Sequence, residues 1–150
     1  MHYSPILAPV VALVAWTLLV MFWMMAVRGR EFRRMGVTLR TIPAGMRGAD
    51  MDGKADPAAQ WKAHNYNHLM EQPTIFYAVA LTLALMGFGG GINHWLAWAY
   101  VELRVLHSLV QCTVNVILYR FTLWILASLC LLGLTIHAGA RILHDCGIIG

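Results

Sequence analysis

The sequence predicts an all-α membrane protein, a bundle of four transmembrane helices, and three observations carry that expectation. Of 150 residues, 59% are hydrophobic and only 12% charged, where ordinary globular chains carry charge on roughly a quarter. Residues 6–27 run for about 22 positions without a charged side chain, enough to cross a hydrocarbon core of roughly 30 Å as a helix. Eight of the eleven Lys and Arg residues fall between positions 28 and 62, so the formal charge of +4 is concentrated beside the first apolar run. That distribution suits a lipid headgroup surface rather than a nucleic acid, and no nucleic-acid partner is expected.

The first helix is expected over about residues 5–27. The opening Met-His-Tyr-Ser-Pro carries no Lys or Arg and the basic residues follow the run, so it reads as a retained span and not a cleaved leader. The polar stretch of about residues 28–56 holds most of the basic residues, which makes it a cytoplasmic loop by the positive-inside rule. Asp56-Pro57 has the form of an N-cap followed by proline at the first helical position, which starts the second helix at 57. Pro73 removes one backbone bond inside it, and the glycine-rich stretch 87–91 ends it. The third helix is expected over about 94–118, opened by Trp95 and Trp98 at the level of an aromatic belt. Tyr119-Arg120 is then a tight inner turn before a fourth helix over about 121–143. Four spans form one domain over residues 1–150 and place both termini on the outer side. Cys112, Cys130 and Cys146 form no Cys-x-x-Cys pattern, so no disulfide framework is expected.

Ionisable side chains within spans are costly and face a bundle interior or a wet cavity. On the second helix His64, Asn67, His68 and Glu71 share one face near the cytoplasmic interface. On the third, Arg104, His107, Ser108, Gln111 and Asn115 fall within about a 100° arc. Counting rise from the outer turn puts Glu71 level with about Gln111 and Arg104 one to two turns deeper; a Glu71–Arg104 ion pair would neutralise both. Glu102 lies on the opposite side of the third helix, toward another helix, another subunit or the headgroups. His64-x3-His68-x2-Glu71 has a spacing that could bind zinc, but a fourth ligand is not evident, so no metal is expected. Haem ligation by His107 lacks an opposed histidine at matching height. The stripe around Arg104 has a plainer reading as a helix–helix contact that holds an oligomer together, and Arg120 reads by default as a snorkelling anchor.

At these residues the chain resembles the MAPEG family, membrane-associated proteins in eicosanoid and glutathione metabolism. The resemblance rests on Asn67-His-Leu-Met-Glu71-Gln-Pro73-Thr-Ile-Phe-Tyr77, on Arg104-Val-Leu-His107-Ser108, and on Arg120 at the start of the last helix. It implies a homotrimer of four-helix subunits with clefts between neighbours that open to the cytoplasmic side. It further implies glutathione as co-substrate, held by His64, Asn67, Glu71, Arg104, His107 and Gln111, with Arg104 and Arg120 catalytic and a small hydrophobic substrate entering from membrane lipid. The activity so implied is that of a glutathione transferase or a peroxidase-like enzyme; the alternative is a non-catalytic lipid-binding or scaffolding protein of the same fold. The pattern departs from glutathione-using members where Lys62 replaces an Arg, where Gln111 replaces a Tyr, and where Phe121 and Trp124 replace a small hydroxyl residue and a Tyr. It resembles a bacterial branch, which implies the bacterial inner membrane.

Overall fold

The computed structural model describes residues 3–38, 40–51 and 53–148. It contains four long helices, α1 (Leu7–Arg34), α2 (Pro57–Leu85), α3 (Ile92–Thr113) and α4 (Ile117–Asp145), with a single 3-10 turn (Gly48–Met51) in the first connection.

Two boundaries differ from the sequence expectation. α1 continues through the basic segment to Arg34 and not to about residue 27 as the sequence predicts, because the four Arg and the Glu of residues 28–34 are good helix formers. Arg33 and Arg34 also oppose the negative end of the helix dipole, and Arg34 pairs with Glu31 at 3.4 Å. Gly36 stops the helix at a φ of 67°, with Val37 N–H reaching back to the Phe32 carbonyl at 2.9 Å. The second difference is the α3–α4 turn, which falls at 114–116 and not at Tyr119-Arg120. Asn115 adopts a φ of 51°, a left-handed conformation that Asn tolerates better than other non-glycine residues. Its N–H closes on the Val110 carbonyl at 2.8 Å. Asn115 is therefore a turn residue and leaves the stripe assigned to it, while Tyr119 and Arg120 lie in the first turn of α4.

α2 begins where Asp56-Pro57 predicts: Asp56 accepts a hydrogen bond from the Ala58 N–H at 3.0 Å. It passes through Pro73 unbroken and ends at Gly87, whose φ of 67° places the Phe88 N–H on the Leu83 carbonyl at 2.9 Å. The 35–56 connection is tied back to the end of α1. Glu31 Oε2 accepts the Asp56 N–H at 3.3 Å, and Arg28 donates to the Gly48 carbonyl at 3.5 Å. Lys62 stands over the rings of Trp23 and Trp61, at 5.5 and 5.9 Å from their centroids, which joins α1 to α2 on this basic side.

Buried positions recur at spacings of three and four along every helix: Leu13, Thr17 and Val20; Leu69, Pro73, Phe76, Ala80 and Leu83; Ala97, Tyr100 and Arg104; Ala127, Leu131, Leu134 and Ala138. Spacing of this kind puts one buried stripe of each helix toward its neighbours. α1 packs most broadly on α2 and α3 on α4, and the α2–α3 contact joins the two pairs, with Phe76 stacked on Tyr100 at 4.4 Å. α1 and α4 are long and apolar enough to cross a bilayer, and only 17% of the most apolar stretch of each is buried. A core helix of the same composition in a soluble protein would be mostly covered.

The α2–α3 turn approaches the segment ahead of α1 closely. A Cβ on Gly89 would collide with Ser4 Oγ and stand 2.6 Å from Ile6 Cγ2, and Ile6 is fully buried. Gly89→Ala is therefore expected to destabilise the protein by about 1–3 kcal/mol, read as a lowered thermal midpoint in detergent. Gly90→Ala, where a Cβ meets nothing within 4 Å, should stay within about 0.5 kcal/mol of the parent.

Candidate functional site

The seam of α3 turns polar toward its C-terminal half. Arg104 and Ser108 are fully buried, and His107 and Gln111 are nearly so. Opposite them, α2 presents Asn65 and Gln72, seven residues apart on the same seam as Leu69 and Phe76. Asn65 Nδ2 donates to Ser108 Oγ at 2.6 Å. Arg104 Nη2 donates to the His68 carbonyl at 2.8 Å, while its Nε and Nη1 are buried without a partner.

These pairs fix the α2–α3 register about two turns away from the one obtained by counting rise from the outer turn. Asn65 is level with Ser108 and His68 with Arg104 and His107, so Glu71 does not lie level with Gln111. The anticipated Glu71–Arg104 pair is replaced by two other contacts: Glu71 Oε2 lies 3.4 Å from His68 Nδ1, and Arg104 binds backbone. The same register gives His107 the opposed histidine that counting denied it. The rings of His68 and His107 meet edge to face with centroids 5.1 Å apart, which leaves no room for a porphyrin plane between them.

In front of this cluster lies a cleft of about 840 Å³, lined by His68, Glu71, Gln72 and Ile75 of α2, His107 of α3, and Ile117, Arg120, Phe121 and Trp124 of α4. Arg120 is aimed by the turn: its Nη1 donates to Asn115 Oδ1 at 2.7 Å, and its Nε is buried without a partner. Gln72 is held from both sides, accepting from Tyr100 OH at 3.5 Å and donating to Ser128 Oγ at 2.7 Å. Ser128 in turn donates to the Trp124 carbonyl at 2.8 Å. Phe121 and Trp124 stack at 6.3 Å and form the apolar wall. Arg120 lines the cleft and Arg104 is bonded to the backbone behind His68, so the polar end of the cleft is cationic while its far wall is apolar.

Of the residues singled out from sequence, His68, Glu71, His107 and Arg120 line this cleft. Arg104 stands behind His68, fully covered, and Gln111 is buried with its Oε1 unpaired. His64 and Asn67 are exposed on α2 and do not line the cleft. The residues that sequence reading passed over are Asn65, Gln72 and Ser128. Asn65 and Gln72 carried a signal, since both continue the apolar 69-73-76-80-83 seam by steps of three and four. Among the described residues no group of three His, Cys, Asp or Glu side chains is gathered as a metal site.

A four-helix, all-α protein with two membrane-capable helices and a cleft that is cationic at one end and apolar at the other is the class that fold and site define. The MAPEG family model matches residues 6–140, nearly the whole chain, and the chain belongs to the MAPEG family. Comparison with curated proteins and with solved structures gave no match.

The Asn65–Ser108 bond is the innermost buried link between α2 and α3. Asn65→Ala is expected to cost about 1–3 kcal/mol, because it strands a buried polar partner. In a double-mutant cycle with Ser108→Ala, the coupling read from unfolding midpoints should be at least about 0.5 kcal/mol.

Proposed function

We propose that this protein binds glutathione in the cleft and activates its thiol for attack on a hydrophobic electrophile that enters from the bilayer. The observation that carries this reading is the meeting of Arg104 and Arg120 around one imidazole pair at the head of an apolar-walled cleft. Family membership supports it, since MAPEG proteins generally use glutathione. A free thiol has a pKa of about 8.5, and neighbouring cations lower it, which raises the thiolate fraction at neutral pH. Arg120 supplies that charge at the cleft wall and Arg104 from behind it. Once the sulfur has lost its proton to solvent, it forms a bond to the electrophilic carbon against Phe121 and Trp124, and the leaving group departs with the bonding pair.

In this reading all four helices span the membrane with the basic end of the bundle cytoplasmic and both termini outside, in a bacterial inner membrane. Three copies assemble as a homotrimer. The exposure of His64 and Asn67 then has a use, because a neighbouring subunit packed on the outer face of α2 would bring them to a shared cleft. There they join Glu71 and His107 in holding the tripeptide, with Gln111 behind them. A second reading, a non-catalytic lipid-binding protein, draws on the Phe121–Trp124 wall, which would hold an acyl chain as readily as an electrophile.

Titration of glutathione into the detergent-solubilised protein, followed by ultraviolet thiolate absorbance, tests the proposal. A saturable signal is expected, with the thiolate yield falling about tenfold in Arg120→Ala, the equivalent of one pKa unit of lost cationic field. Arg120 is only partly buried, so that substitution leaves the fold in place. A signal unchanged in the variant removes Arg120 from thiol activation. No glutathione binding and no rise in thermal midpoint favours the lipid-binding reading.

A further inference from the structure

On the other side of α3 from the arginine cluster lies a second recess. Ala12, Ala15 and Trp16 of α1 face Trp98, Glu102 and Leu106 of α3 across a hollow of about 440 Å³ that is apolar except for the carboxylate. A further hollow of about 550 Å³, toward the outer end of α3, shares Trp98 and Glu102 with it. The carboxylate therefore stands at the waist of one groove that begins at the aromatic outer rim and runs inward along the α1–α3 seam.

Glu102 is exposed, and among the described residues it has no ion-pair or hydrogen-bond partner. It lies ten residues into α3, a rise of about 15 Å, which in a spanning helix is close to the bilayer midplane. An unpaired carboxylate there is expensive, and a monovalent cation beside it removes most of that cost. Trp16 and Trp98, which line the same hollow, add attraction for a cation and none for an anion. The small side chains of Ala12 and Ala15 leave the floor open, and the volume is that of a single drug-sized ligand.

We propose that this groove is a binding site for a lipophilic monovalent cation, an organic ammonium or phosphonium that reaches Glu102 laterally from the membrane. The site is separate from the arginine cleft and does not depend on the glutathione reading: it contains neither guanidinium and opens on the opposite side of α3.

Equilibrium dialysis of tetraphenylphosphonium and tetraphenylborate against the solubilised protein in a neutral detergent tests this, since the two ions match in shape and differ in sign. Saturable phosphonium binding is expected, weakened at least tenfold in Glu102→Gln, with no saturable borate binding. Equal binding of the two ions, or phosphonium binding unchanged in Glu102→Gln, overturns the proposal in favour of unspecific partition. An absence of saturable phosphonium binding also overturns it, and is the outcome if a second copy of the chain covers the groove. Glu102 is a surface residue and Gln keeps its volume, so the variant folds; an unchanged thermal midpoint confirms that before the dialysis is read.

Discussion

Arg104 has no exposed surface, and a guanidinium so placed demands acceptors from its surroundings. The His68 carbonyl meets the demand with the lone pair that a helical carbonyl keeps after accepting its own intrahelical bond. That contact sets the height of α2 against α3, and the rest of the polar interior follows from the height. It brings His68 edge-on to His107, places Asn65 on Ser108 and puts Tyr100 within reach of Gln72. Because Nε and Nη1 are left over, the cluster holds cationic capacity that the protein's own side chains do not use.

The cleft in turn depends on how the short α3–α4 connection is made. A three-residue turn with Asn115 in the left-handed region brings α4 back antiparallel to α3, so Arg120 returns to the level of His107. The same Asn115 side chain then holds the guanidinium at 2.7 Å. One residue supplies both the backbone reversal and the acceptor. Further along α4, Ser128 and Trp124 anchor Gln72, so the polar and apolar walls of the cleft are tied to each other and to α2.

Much of this was legible in the sequence and some was not, for physical reasons. The four helices, the Asp56-Pro57 start and the stop at Gly87 follow from local chemistry, capping and punctuation, which act within a turn of the residue concerned. The inward stripe of α3 is legible because a polar arc on an apolar helix has few places to go. Height was not legible. Counting from the outer turn treats helices as parallel rods of equal pitch, yet the Gly89 contact with Ser4 and Ile6 shapes that turn, and Arg104 selects the register. Asn115 was misassigned since a polar residue seven or eight positions along a stripe looks the same whether the helix continues or has just ended. On α2, His64, Asn67 and Glu71 are the more conspicuous residues, while the quieter Asn65 and Gln72 are the ones that meet α3 and α4.

The spacing of that seam bears on how the bundle is put together. In lipid, apolar helices slide past one another at little cost, because one leucine–leucine contact resembles the next and the acyl chains compete equally. α2 would otherwise be free to dock one heptad too high or too low on its neighbours. Asn65 and Gln72 are seven residues apart but have different partners, Ser108 on α3 and Ser128 on α4. A slip of one heptad would carry Gln72 to Asn65's place opposite Ser108 and strand Ser128, or carry Asn65 to Gln72's place with a side chain one methylene too short to span the same gap. The two amides act as a two-tooth key, admitting one alignment of three helices and rejecting its nearest imitations as the bundle forms.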